Sequence, residues 1–363
     1  MISPTELRTW MHSNPEPAFH ENKITHLLLQ ELSSIPSVKT FQPLDTGLLV
    51  TYEGSKSLPY TLIRADIDAL PISSDCPGIA KASHLCGHDV HTAILWGILK
   101  KVIDTMPEKN ILFLFQPGEE SGDGAKRLLD SKILDRWRIQ NCFALHVHDK
   151  HPLGSIATND TTLFAASQEI DILFHGKQGH ITSPEKGIDA WKACVQFSSL
   201  WNQHEKSEDF FLGIGRVDAG VTRNSIPAEA AMYTTTRART IKNLQELLEK
   251  IKDTVHTTEN TIGVKGTIVK GSHCPPVQNN HELFEKSCGI LQDAFPIIQT
   301  DMVWAAEDFG YFSSRYPCFM FWLGTREQNS HEVGLHHTDF YPSNKTIQHG
   351  MQAFSLLLDL GKF

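Results

Sequence analysis

Four short stretches, Tyr60 to Ile67 (YTLIRADI), Asn110 to Gln116 (NILFLFQ), Cys142 to Val147 (CFALHV) and Phe319 to Gly324 (FMFWLG), are apolar almost throughout. Each is far below the ~18 apolar residues of a membrane helix. None alternates polar with apolar as a half-solvated strand does, so they read as strands buried on both faces. Helical periodicity lies between them. Ile94, Ile98 and Val102 recur every four residues with Leu95, Leu99 and Ile103 beside them, predicting a helix from His91 to Ile103. A second helix is predicted from Ala125 to Leu134. Ser3-Pro4-Thr5-Glu6 has the pattern of a capped helix start. Buried strands alternating with helices specify an α/β sheet.

The middle of the chain follows another pattern. Strands are predicted at Glu169 to Phe174, Phe210 to Val217, Ala230 to Thr236 and Val264 to Lys270, with helices at Ile188 to His204 and Ile241 to Ile262. The order β-α-β-β-α-β fits a ferredoxin-like α+β insert. The expectation is one discontinuous α/β domain over residues 1–167 and 277–363, interrupted by a smaller domain over 168–276. A chain of 363 residues is long enough for both cores.

The 33 basic and 42 acidic residues give a formal charge of −9, which speaks against a nucleic-acid surface. No basic stretch followed by an apolar one opens the chain, and no segment would span a membrane. Seven cysteines without a framework spacing suggest reduced thiols and a cytoplasmic protein.

Ligands of open α/β sheets bind beyond the carboxyl ends of the strands. Asp66 and Asp68 follow the first apolar strand, and Cys86, His88, Asp89 and His91 fall in the loop before the first helix of the sheet. Glu119 and Glu120 follow the second strand, His146 and His148 close the third, and His336 and His337 come shortly after the fourth. Singly, each has an ordinary explanation: an inert thiol, a solvated acidic turn, a hydrogen-bonded core histidine. Convergence of thiolate, imidazole and carboxylate on one edge points instead to a first-row metal such as zinc, cobalt, manganese or nickel. Of two adjacent glutamates, one can bind metal while the other moves a proton.

Seven motifs carry a family resemblance: Arg64-Ala-Asp-Ile-Asp-Ala-Leu-Pro71, Cys86-Gly-His-Asp-Val-His91, Gln116-Pro-Gly-Glu-Glu120, Ala144-Leu-His-Val147, Gly176-Lys-Gln-Gly-His180, Asn224-Ser-Ile-Pro227 and Leu335-His336. In this order they resemble the M20 peptidase superfamily, in its amidohydrolase branch of aminoacylases and hippurate hydrolases. Leu153-Gly-Ser-Ile-Ala157, Glu307-Asp-Phe-Gly-Tyr311 and Phe319-Met-Phe-Trp-Leu-Gly324 make the chain most similar to the N-acetyldiaminopimelate deacetylases of that branch. The resemblance implies a metallopeptidase-like α/β catalytic domain with an inserted lid and dimerisation domain. It also implies two divalent ions per subunit, held by Cys86, His88, Glu120, His146 and His336, with Cys86 as the bridge. Glu119 would be the general base, and Asp66 matches the aspartate assigned as catalytic in relatives. Asp89 and His91 would support the ligands from behind. His180 would reach the neighbouring subunit's site in a homodimer and donate to the carbonyl oxygen. Asn224 and Arg237 would hold the carboxylate of a small N-acyl amino acid.

Two departures touch loop geometry. Only Gly220 remains of a glycine pair that usually precedes the Asn-x-Ile-Pro motif, and the loop before Cys86 reads Ser83-His84-Leu85 where Met-His-Ala is usual. The implied reaction is metal-assisted hydrolysis of an N-acyl amide, either specific for N-acetyl-L,L-diaminopimelate or broad over N-acyl amino acids. Two other readings compete: a cysteine hydrolase with Cys86 as nucleophile, and a non-catalytic binder of acylated amino acids.

Overall fold

The computed structural model describes residues 1–72, 81–204 and 207–361. The four apolar runs are the central strands of an eight-stranded sheet: Asn110–Gln116, Tyr60–Asp66, Ile139–Pro152 and Cys318–Arg326, side by side and all parallel. Asn110–Gln116 is buried at every residue, and Cys318–Arg326 at all but the last. The sheet is mixed rather than purely parallel. Leu48–Glu53 pairs antiparallel with Asn110–Gln116, and Val38–Phe41 antiparallel with Leu48–Glu53. Beyond Cys318–Arg326 lie Ile156–Thr158, antiparallel to it, and Ile297–Gln299 at the edge.

This sheet belongs to a first unit, formed by Met1–Leu163, Val277–Val303 and Glu307–Phe363. Helix Pro4–Ser13 begins with the expected reciprocal cap: Ser3 Oγ accepts from Glu6 N, and Glu6 Oε2 from Ser3 N. The first helix of the sheet runs from His88 to Thr105, three residues earlier than the apolar period predicts. The polar residues Cys86-Gly-His-Asp hide the start. Gly87, at φ 89°, lets the chain turn straight into the helix, so His88, Asp89 and His91 lie in its first turn rather than in the loop. The helix predicted from Ala125 to Leu134 covers only Gly124–Asp130. Lys132, at φ 58°, breaks it before a single 3-10 turn at Ile133–Arg136.

The second unit comprises Phe164–Pro276 with Trp304–Ala306. Its four strands form one antiparallel sheet in the order Phe210–Ala219, Glu229–Ala238, Ala166–His175, Lys265–Cys274. Every second residue of Ala166–His175 is buried, and Ile170, Ile172 and Phe174 pack with Ala193 and Phe197 of helix Ala190–Trp201 and with Leu247 and Ile251 of helix Ile241–Ile262. Thr240 caps the longer helix at its start and Gly263, at φ 82°, ends it, which gives the predicted bounds. Among the described residues, no helix is long and apolar enough to cross a membrane.

Candidate metal centre

The first unit brings together five metal-capable side chains from four stretches of sequence. Cys86 sits in the loop before helix His88–Thr105, and His88 is that helix's first residue. Glu120 follows strand Asn110–Gln116. His146 lies inside strand Ile139–Pro152, not at its end as expected, because the strand runs on past it. His336 lies in an irregular segment well beyond Cys318–Arg326. Its φ of 66° is unusual for histidine, and its N–H donates to Leu85 O at 2.9 Å, which ties it to the Cys86 loop. Gly87 is held tightly, since a β-carbon there would come within 2.4 Å of Val147 Cγ2.

The donor atoms fall into overlapping groups. Cys86, His88 and His146 have theirs within 4.8 Å of one another; so do Cys86, Glu120 and His336, and so do His88, Glu119 and Glu120. Cys86 belongs to the first two. Its Sγ is 3.4 Å from His146 Nε2.

The ring nitrogens are set by their surroundings. His88 Nδ1 donates to Asp68 O at 2.9 Å, and His146 Nδ1 to Val147 O at 2.9 Å. Anchoring one nitrogen on a carbonyl fixes the tautomer and frees Nε2 as a ligand, the usual arrangement of metal-binding histidine. His88 Nε2 and Glu120 Oε1 are buried without a hydrogen-bond partner, although they lie 3.8 Å apart. Two orphaned acceptors beside a thiol fit a bound cation. Burial holds the His146 imidazole well below its usual value, so it is neutral. His91 differs: Nδ1 donates to Asp66 Oδ1 at 2.6 Å and Nε2 accepts from Val147 N at 3.0 Å. Both its nitrogens are used within the protein.

The site is crowded with acidic side chains around one cation. Arg64 reaches Asp66 at 2.8 Å, Glu307 at 3.0 Å and Asp308 at 2.7 Å, so one guanidinium faces three buried carboxylates before Glu119 and Glu120 are added. Divalent ions would offset that excess. Burial, then the negative charges of Glu307 and Asp308, push the Glu119 carboxyl well above the carboxylate range, which suits a group that takes and returns a proton. Burial alone would raise the Asp66 carboxyl, but His88, His91 and Arg64 outweigh it and hold Asp66 well below its usual value. Burial pushes the Cys86 thiol up, opposite to what an activated thiolate nucleophile needs. Glu307 and Asp308 stood out in the sequence as part of the Glu307-Asp-Phe-Gly-Tyr311 stretch, but nothing local there points to Arg64.

In the second unit, His180 pairs with Ser225 in a two-residue ladder, and Asn224 O accepts from Ile181 N at 3.1 Å. These two therefore share one small structure. The His180 ring is exposed and its Nδ1 lies 2.8 Å from Thr182 Oγ1. Arg237 is at the far end of strand Glu229–Ala238 from that ladder, half-buried. It donates to Trp304 O, Thr235 Oγ1 and Thr236 O, so most of its donors are used locally.

A mixed sheet with such a donor set gathered beside it is the architecture of a metal-dependent hydrolase. Residues 62–359 match the family Peptidase M20/M25/M40, and the chain belongs to that family. An N-acetyldiaminopimelate deacetylase of Shouchella clausii is 32% identical over 359 residues, covering 94% of this chain and 93% of that protein. One from Exiguobacterium sibiricum is 30% identical over 356 residues, covering 94% and 95%. The crystal structure of the Bacillus subtilis YXEP protein, described as a dinuclear metal-binding peptidase of the M20 family, superposes with a TM-score of 0.83 at 25% identity, covering 99% of this chain and 98% of that one.

Proposed function

We propose that the protein removes the acetyl group from N-acetyl-L,L-diaminopimelate, releasing acetate and L,L-diaminopimelate for lysine biosynthesis in the cytoplasm. The observation that carries the reading is the pair of overlapping donor groups that share Cys86, with Glu119 beside them. The names of the relatives support the substrate.

On this reading Cys86, His88, Glu120, His146 and His336 would hold two divalent ions of manganese, zinc, cobalt or nickel. When bound, such ions supply Lewis acidity toward an acyl oxygen and make a water more acidic. The protein does the rest. Glu119 takes a proton from the attacking water and passes it to the leaving amine. Asp66 orients His91 and, through it, Val147 beside His146. His180 donates to the acyl oxygen of a neighbouring subunit's substrate in a homodimer, an effect of the kind worth ~2.7–4 kcal/mol. Asn224 and Arg237 hold the substrate carboxylate.

The test is a set of initial rates on N-acetyl-L,L-diaminopimelate, hippurate and several N-acetyl amino acids, with manganese, cobalt or zinc added. A large kcat/KM preference for the diaminopimelate substrate supports the proposal. Comparable rates on all would make the protein a broad aminoacylase. No rate with any metal would leave a binder of acylated amino acids.

A further inference from the structure

The glutamates of the centre stand on a loop that is held from an unexpected direction. Glu21, at the start of helix Asn22–Leu32, is completely buried. Among the described residues it has no ion-pair partner within salt-bridge distance. Its Oε1 accepts from Gly118 N at 2.9 Å, and its Oε2 from Thr46 Oγ1 at 2.6 Å. A fully buried carboxyl group without a counter-ion is rare, and an ordinary helix start does not need one. Its side chain does not cap the helix.

Gly118 immediately precedes Glu119. At φ +73° it takes a conformation few side chains adopt, and a β-carbon there would lie 2.5 Å from Phe19 Cζ. Phe19 itself has φ 61°, and its outer face is covered by the Arg127 guanidinium at 3.9 Å. The Gly118 peptide is thus fixed on one side by the Phe19 ring and on the other by Glu21. Its carbonyl accepts from Ser121 Oγ at 2.7 Å and from Gly124 N at 3.2 Å, which shapes the rest of the turn. Asp68 Oδ2 accepts from Glu120 N at 2.9 Å, and Asp308 Oδ2 from Ala125 N at 2.8 Å. Three buried carboxylates therefore grip the loop by its backbone, and Glu21 takes the peptide next to the proposed base.

We propose that Glu21 is a positioning residue for the hydrolysis: by fixing the Gly118 peptide it aims Glu119 at the reacting water and Glu120 at its metal. This rests on the roles given above to Glu119 and Glu120. Glu21 touches neither substrate nor ion.

The experiment compares the wild type, E21Q and E21D in the full-length protein, by steady-state rates with manganese and by manganese titration of the metal-free protein. E21Q keeps an acceptor of the right length for Gly118 N. E21D keeps the charge and loses the reach, without emptying the site as E21A would. The expected result for E21D is a fall in kcat approaching 10²-fold, on the order of what a small misplacement costs, with KM little changed and weaker binding of manganese. E21Q should retain most of the turnover and the wild-type manganese affinity. Wild-type kcat and manganese affinity in a folded E21D would overturn the proposal, as would equal losses in E21D and E21Q. If the wild type hydrolysed no amide, the function proposed above would fail, while the manganese titrations would still decide the role of Glu21.

Discussion

His91 donates to Asp66 through a 2.6 Å contact deep in the first unit, and the same carboxylate accepts from Arg64. Replacing Asp66 by Asn would set an amide N–H against one of these donors. We expect D66N to lose about 3–5 kcal/mol of stability, the range found on breaking a buried pair, together with turnover. Because the folded pKa of Asp66 is depressed, its contribution is present above the ordinary aspartate value near ~4 and is lost as pH falls toward the folded value. Urea unfolding across the acid range checks this: D66N should lack part of the wild type's acid-side slope.

Glu21 works with the opposite sign. Burial raises its folded carboxyl to about 7, against ~4.3 for ordinary glutamate. Between those values the folded protein holds a proton that the unfolded chain has released, so stability falls as pH rises through that window. E21Q cannot ionise. Its melting temperature relative to the wild type should climb between about pH 4 and about pH 7 and level off above that. A difference that stayed flat would mean that Glu21 titrates normally in the folded protein.

Removing the proposed base should separate chemistry from metal binding. E119Q is expected to lower kcat by about 10²–10⁴-fold while holding as much manganese as the wild type, measured by elemental analysis. Near-normal turnover in E119Q would end the assignment.

Cys86 distinguishes a metal enzyme from a cysteine hydrolase. A chelator should abolish activity and added manganese restore it, whereas C86S should bind manganese weakly and recover little. Full activity in the chelated, metal-free protein would favour the thiol as nucleophile.

The turn at Gly87 should tolerate no side chain. G87A meets both the positive φ, worth roughly 1–2 kcal/mol, and Val147 at 2.4 Å. The double variant G87A/V147A should recover only the steric share in thermal unfolding. Full recovery would show that the backbone conformation carries no cost.

The central strands were legible because burial on both faces leaves an unbroken apolar signature, as in Asn110–Gln116. Helix Ile241–Ile262 was legible because its cap residues bracket a clean period. The outer strands were not. Ile156–Thr158 and Ile297–Gln299 are too short to show a period, and Val38–Phe41 has no buried residue. The start of helix His88–Thr105 was masked by the polar run Cys86-Gly-His-Asp, which interrupts the apolar period. The motifs named candidate donors that the fold brings within reach of one another, but the grip on their loops could not be read. Glu21, Glu307 and Asp308 act from positions remote in sequence, and only the folded chain shows which backbone N–H or guanidinium each one meets.

Strand Cys318–Arg326 lies between Ile139–Pro152 and Ile156–Thr158, yet all of residues 164–276 are made before it. During synthesis, then, Ile139–Pro152 leaves the ribosome with one long apolar edge unpaired, and it stays so while the whole second unit is translated. Such an edge invites pairing with other chains. A chain released before residue 318 would expose the same edge permanently.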